Sequence, residues 1–166
     1  AEIKEPLGAA QIRQGDARAL PVADGAVDGI IFSPPYSFAI DYLDNDAFHL
    51  RFLGVDITSL QDVMIGLRGR TLDEKFAFYR TDMQRVLAEC ARVLRPGGIC
   101  TVIVGTNSNQ LSKVLRVPVG EVPGIHDILI DLAKPEGLRL ARMMSRSIVG
   151  ISNTMRREQI LMLRKT

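Results

Sequence analysis

The 166-residue sequence predicts an α/β protein built on an open, mostly parallel sheet that ends in an antiparallel hairpin. Three observations carry this. Strand-like and helix-like segments alternate along the chain, the pattern of helices packed on a parallel sheet. The central strand segments are near-continuous apolar runs, as in strands covered on both faces. The last two strand segments are joined by only nine residues, 149–157, too few for a crossover helix, so they must be antiparallel neighbours.

Each element has its own signal. Residues 9–14 (AAQIRQ) read as a short strand stopped by Gly15-Asp16. Residues 26–32 (AVDGIIF) read as a second. Then Phe76, Tyr79, Met83, Val86, Leu87, Cys90, Val93 and Leu94 recur at three- and four-residue steps, the apolar stripe of a long helix. Thr71 followed by Glu74 matches a capping box, and Pro96-Gly97-Gly98 supplies the stop. Residues 99–105 (ICTVIVG) read as a buried strand. Residues 124–133 place Ile125, Ile128, Leu129 and Leu132 on one side of a helix ended by Pro135 and Gly137. Residues 138–148 and 158–165 are the closing strands.

Bulk composition narrows the classes. Lys plus Arg number 21 against 19 Asp plus Glu, a net charge of +2 that excludes a polybasic protein but not a local basic face. Cys90 and Cys100 are isolated in apolar patterns with no CxxC, so buried free thiols are expected; with no signal peptide, a cytoplasmic location follows as the expectation. No apolar run approaches the ~20 residues of a membrane helix. His49 and His126 lack ligand-spaced partners, and Asp41, Asp44 and Asp46 lack the glycine and closing glutamate of a calcium loop, so no metal is expected. Without repeats or linkers, residues 1–166 read as a single domain. Within it, residues 37–70 form a long connection, helical around 40–53, placed as an insertion, lid or target-contacting segment.

The stretch Ser33-Pro34-Pro35-Tyr36 closes the strand at 26–32. In open α/β sheets the ligand crevice lies outside the carboxyl ends of the strands. The two prolines fix φ and remove two N–H donors, leaving a rigid rim of acceptors, one hydroxyl and one aromatic face. Such a rim suits a flat ligand bearing an amino group. The plain alternative is a diproline strand terminator with a surface tyrosine.

FSPPY resembles the [DNS]-P-P-[YFW] signature of S-adenosylmethionine-dependent methyltransferases that modify exocyclic amino groups. GDARALPVADGAVDGIIFSPPY resembles, in order, the acidic and catalytic elements of that family. ECARVLRPGGICTVIVG resembles the segment that follows them, and the closing hairpin resembles the end of the class I sheet. SPPYSFAIDYLDNDAFHLRFLG resembles prokaryotic DNA methylases with an AIDY stretch.

This resemblance implies a Rossmann-like methyltransferase sheet and a base pocket made by Ser33, Pro34, Pro35 and Tyr36. The Ser33 hydroxyl and Pro34 carbonyl would accept from the amino group, and Tyr36 would stack on a base extruded from the duplex. Asp16, with Ala17 and Ser33, would contact S-adenosyl-L-methionine; an Asp that merely ends a strand and caps a turn is the other reading. The leading Ser resembles the cytosine-N4 group, with adenine-N6 open. DNA is the implied partner and RNA the alternative, through guanine-N2 methylation of transfer RNA; protein glutamine is a further rival. Arg51, Arg68, Arg70, Lys113 and Arg116 are candidate phosphate contacts, although such a residue taken singly is more often a plain solvated charge. Five-position cytosine chemistry is excluded, since neither cysteine follows proline.

The sequence departs from the family upstream. Only eleven residues precede Ile12, and they hold neither the glycine-rich cofactor loop nor the ribose-binding acid. VGTNSN, RPGG and VGEVPG supply no permuted copy. The expectation is therefore a C-terminal portion lacking its first two strands, one that binds cofactor weakly by itself. Such a portion would self-associate or take its other half from a second polypeptide. A non-catalytic remnant or subunit acting by binding is the other class of function.

Overall fold

The computed structural model describes residues 8–35, 42–148 and 157–166. Its sheet has four strands, β1 (Val27–Phe32), β2 (Leu94–Gly105), β3 (Leu138–Ser147) and β4 (Arg157–Lys165), in the order β1-β2-β4-β3. β1 pairs parallel to β2, and β4 pairs antiparallel to both β2 and β3. β4 alone is reversed. The expected closing hairpin is present, and its second strand is inserted between β2 and β3.

The core lies on one side of this sheet. The helix α4 (Leu72–Val93) buries Phe76, Tyr79, Met83, Val86, Leu87 and Cys90 along the stripe foreseen from its spacing. Its start is fixed as expected: Thr71 Oγ1 accepts from the Glu74 N–H at 3.2 Å while Glu74 accepts from the Thr71 N–H at 3.2 Å. Cys100, Val102 and Val104 of β2 and their neighbours Leu161 and Leu163 of β4 face this cluster, joined by Leu111, Ile125 and Leu129. Cys90 and Cys100 are buried free thiols, as expected, and the structure places them in contact; the Cys90 thiol beside it, and burial, push the Cys100 thiol up.

Several elements differ from the sequence reading. α4 passes straight into β2, whose first pair is Val27 with Leu94, before an irregularity over Pro96-Gly97-Gly98 restores register at Gly29 with Ile99. Gly98 is required there, because a Cβ would lie 2.9 Å from the Arg95 carbonyl oxygen and 3.0 Å from that of Asp28. Helices α1 (Tyr42–Asn45), α2 (Ala47–Phe52) and α3 (Ile57–Gln61) are short turns within the long connection. Residues 42–52 thus agree with the helical reading of 40–53, and residues 40 and 41 lie outside the described residues. α5 (Ser108–Leu115), capped by Asn107, was not foreseen; two turns are too few for a periodic signal. α6 (Ile125–Ala133) matches its predicted span. None of the described helices is long and apolar enough to cross a membrane.

The strand expected at residues 9–14 is a correction. From residue 8 onward this segment is unpaired and exposed, with Ile12 fully open to solvent. Alternation alone does not make a strand; it needs a neighbour to accept its hydrogen bonds. The chain that follows is held by charge instead. Leu20 N–H donates to Glu89 at 2.8 Å, and Arg92 donates to the Leu20 and Val22 carbonyls and to Asp24. Residues 16–25 are thereby strapped along α4 into the start of β1.

Candidate functional site

The carboxyl end of β1 delivers Ser33, Pro34 and Pro35 in turn: exposed, buried and half-buried. Ser33 Oγ donates to the Ile103 carbonyl of β2 at 3.0 Å. Because its single proton is committed, the outward side of Oγ presents lone pairs and acts as an acceptor. Ser33, Pro34 and Pro35 line an open pocket of about 320 Å³ with Tyr42 and Met64. Tyr36 lies outside the described residues, as do 37–41.

Tyr42 was not singled out in the sequence, although it is the tyrosine of the AIDY stretch. Behind it Tyr79 is fully buried with no hydrogen-bond partner for its hydroxyl; burial, and Tyr42 beside it, push the phenol up and keep it neutral. The pocket wall therefore carries one described aromatic backed by a second. Tyr42 is the aromatic that lines the pocket, and an aromatic face there is a surface against which a planar ring can rest.

Asp16 sits in a turn, closed by a bridge between Asp16 and Ala19, rather than at a strand end. Its carboxylate accepts from the Arg18 backbone N–H at 2.8 Å and from Arg18 Nε and Nη2 at 3.0 and 2.8 Å. This pairing holds the Asp16 carboxyl below the usual range, so it stays ionised, with a side chain still 48% exposed. Ala17 is exposed beside it. Arg18 continues inward to Asp82 at 3.0 Å, and Asp82 accepts from Arg68 at 2.9 Å. Sequence reasoning missed Arg18 and Asp82. Asp82 was legible only as an acid next to the apolar stripe of α4.

The candidate phosphate contacts sit on separate elements. Arg68 is taken up by Asp82 and lies over the Phe78 ring at 4.6 Å, on the wall of a second cavity of about 540 Å³ that Arg70 also lines. Arg70 is exposed ahead of α4, Arg51 is exposed on α2, and Lys113 and Arg116 are exposed at the end of α5. Arg116 takes the left-handed conformation that closes α5.

No protein-family model matches the chain, and no curated protein matches it. Solved structures do. A SAM-dependent methyltransferase of Methanosarcina mazei is similar over 98% of this chain and 70% of its own, with 13% identity and a TM-score of 0.55. A candidate DNA modification methylase of Thermus thermophilus, complexed with S-adenosyl-L-methionine, is similar over 91% of this chain at 18% identity and a TM-score of 0.50. The present chain spans 51% of that protein's length. Likeness at such identity defines the fold, which is the Rossmann-like sheet of SAM-dependent methyltransferases.

Proposed function

We propose that this chain carries the target-base half of an S-adenosyl-L-methionine-dependent methyltransferase that methylates an exocyclic amino group of an extruded DNA base, cytosine N4 before adenine N6. The observation that supports this most is the Ser33 hydroxyl, whose proton is committed to Ile103, leaving an acceptor at the mouth of a pocket floored by two prolines.

In this reading Ser33 Oγ and the Pro34 carbonyl accept from the amino group. They orient its lone pair and stabilise the positive charge that grows on nitrogen, with no covalent enzyme intermediate. Tyr36 and Tyr42 hold the ring by their faces. Asp16 fits the adenine amino edge of the cofactor, since its carboxylate is ionised and half-exposed, with Ala17 alongside. When bound, S-adenosyl-L-methionine supplies the electrophilic methyl group. Arg51, Arg70, Lys113 and Arg116 are exposed and would meet phosphates; Arg68 is already engaged.

The test is a methylation assay on DNA and RNA with nucleosides identified by mass spectrometry. In an assembly that also holds the glycine-rich cofactor loop, N4-methylcytosine or N6-methyladenine from DNA supports the reading, while N2-methylguanine from RNA or no product at all contradicts it. Within an active assembly, Ser33→Ala should lower kcat more than it raises KM. Tyr36→Ala should weaken base capture, and Tyr36→Phe should largely restore it. A Tyr36→Phe variant as inactive as Tyr36→Ala would assign the ring's contribution to its hydroxyl and end the stacking account.

A further inference from the structure

Arg18 makes a set of contacts that the pocket alone does not require. Nε and Nη2 fork onto Asp16, Nη2 also donates to the Val63 carbonyl at 2.9 Å, and Nη1 donates to Asp82 at 3.0 Å. The side chain is 12% exposed and Asp82 is fully buried. One guanidinium thus meets three chain segments: the turn at Asp16, the middle of α4, and the connection after α3.

The Val63 contact reaches the pocket. The Val63 carbonyl and the Met64 N–H belong to one rigid peptide plane. That plane is gripped on both sides, by Arg18 at the carbonyl and by the Leu60 carbonyl, which accepts from Met64 N–H at 2.9 Å. Met64 is a wall of the pocket that holds Ser33 and Pro34. Replacing a buried ion pair by well-packed apolar residues is often neutral or stabilising, so stability alone does not account for the Arg18–Asp82 pair. Lysine could not reproduce the arrangement, because a point charge cannot fork onto a carboxylate and span two further acceptors.

We infer that Arg18 is a positioning residue that ties the orientation of Asp16 to that of the Val63–Met64 wall, so that the cofactor side and the target side of the site are set together. Its functional sense rests on the methyltransferase reading; the mechanical link does not.

The experiment uses the full chain, with the backbone amide and methyl resonances of Met64 followed by NMR and folding checked by circular dichroism. Asp16→Asn removes part of the fork without touching the pocket. It should shift both Met64 signals in the parent chain and leave them in place in an Arg18→Lys background. Unmoved Met64 signals in folded Asp16→Asn, or equal shifts with and without Arg18, would overturn the link. Should Arg18→Lys fail to fold, the parent-chain measurement still decides, because among the described residues Arg18 is the side chain that bonds both Asp16 and Val63. S-adenosylhomocysteine added to an assembly that also holds the glycine-rich cofactor loop separates the two claims. No binding there would refute the methyltransferase reading while the mutational coupling stands, and binding that shifts Met64 only when Arg18 is present would support both.

Discussion

The two faces of the sheet have similar sequences and different fates. On β2, Cys100, Val102 and Val104 are buried under the helices, while the alternate residues Thr101 and Ile103 are only half-buried and Gly97 is exposed. The same split runs into β4, where Leu161 and Leu163 are buried and Ile160 and Met162 are not. It ends at Ile31 of β1, 77% exposed beside Thr101. A strand written in branched apolar residues on both sides looks doubly covered, yet cover comes from whatever packs on it. The difference teaches that apolar character in a strand records what the strand can bury, and the surrounding elements decide which half is buried.

Adjacent residues make the comparison quantitative. Leu163→Ala opens a cavity in the covered core and should cost about 2–5 kcal/mol in chemical denaturation. Met162→Ala, one residue away on the opposite face, should cost about 1 kcal/mol or less. Equal losses would mean that the open face is packed in solution.

The next largest effect concerns the helix that does the covering. Thr71→Ala removes one arm of its capping box and should cost ~1 kcal/mol. A loss near zero would place the stability of α4 in its packing alone.

The strap of residues 16–25 along α4 gives a pH signature. Arg92, and then the Leu20 N–H, depress the Glu89 carboxyl from 4.5 to about 2. Ionised Glu89 therefore stabilises the folded chain above pH 4.5, and this contribution is lost as the pH falls towards 2. Glu89→Gln should flatten the acid limb of the stability curve in that window. An unchanged limb would show that the strap contributes nothing.

The smallest effect on stability is expected at Ile31, where a charge costs little because the side chain is already open. Ile31→Lys should nonetheless reduce self-association in sedimentation velocity, because it breaks the apolar surface of the open face. An unaltered distribution would remove this face as a contact between copies.

Some of this molecule was legible in the chain itself. The capping box at Thr71 and Glu74, the stripe of α4 and the antiparallel closing pair follow from spacing and connection length, which are local properties. Ser33-Pro34-Pro35 at the end of β1 was legible for the same reason, since prolines dictate their own backbone. Tertiary structure decided the rest. Residues 9–14 have the composition of a strand but no described partner, and Asp16 consequently lies in a turn held by Arg18. Asp82 becomes the buried centre of an ion network only because Arg18 and Arg68 converge on it from segments 64 and 14 residues away. Tyr42 and Met64 become pocket walls because the connection between β1 and α4 folds back over the strand end. Local sequence determines which backbone shapes and hydrogen-bond partners are close at hand. Burial and pairing depend on residues distant in the chain, and those were decided when the helices settled on one face of the sheet.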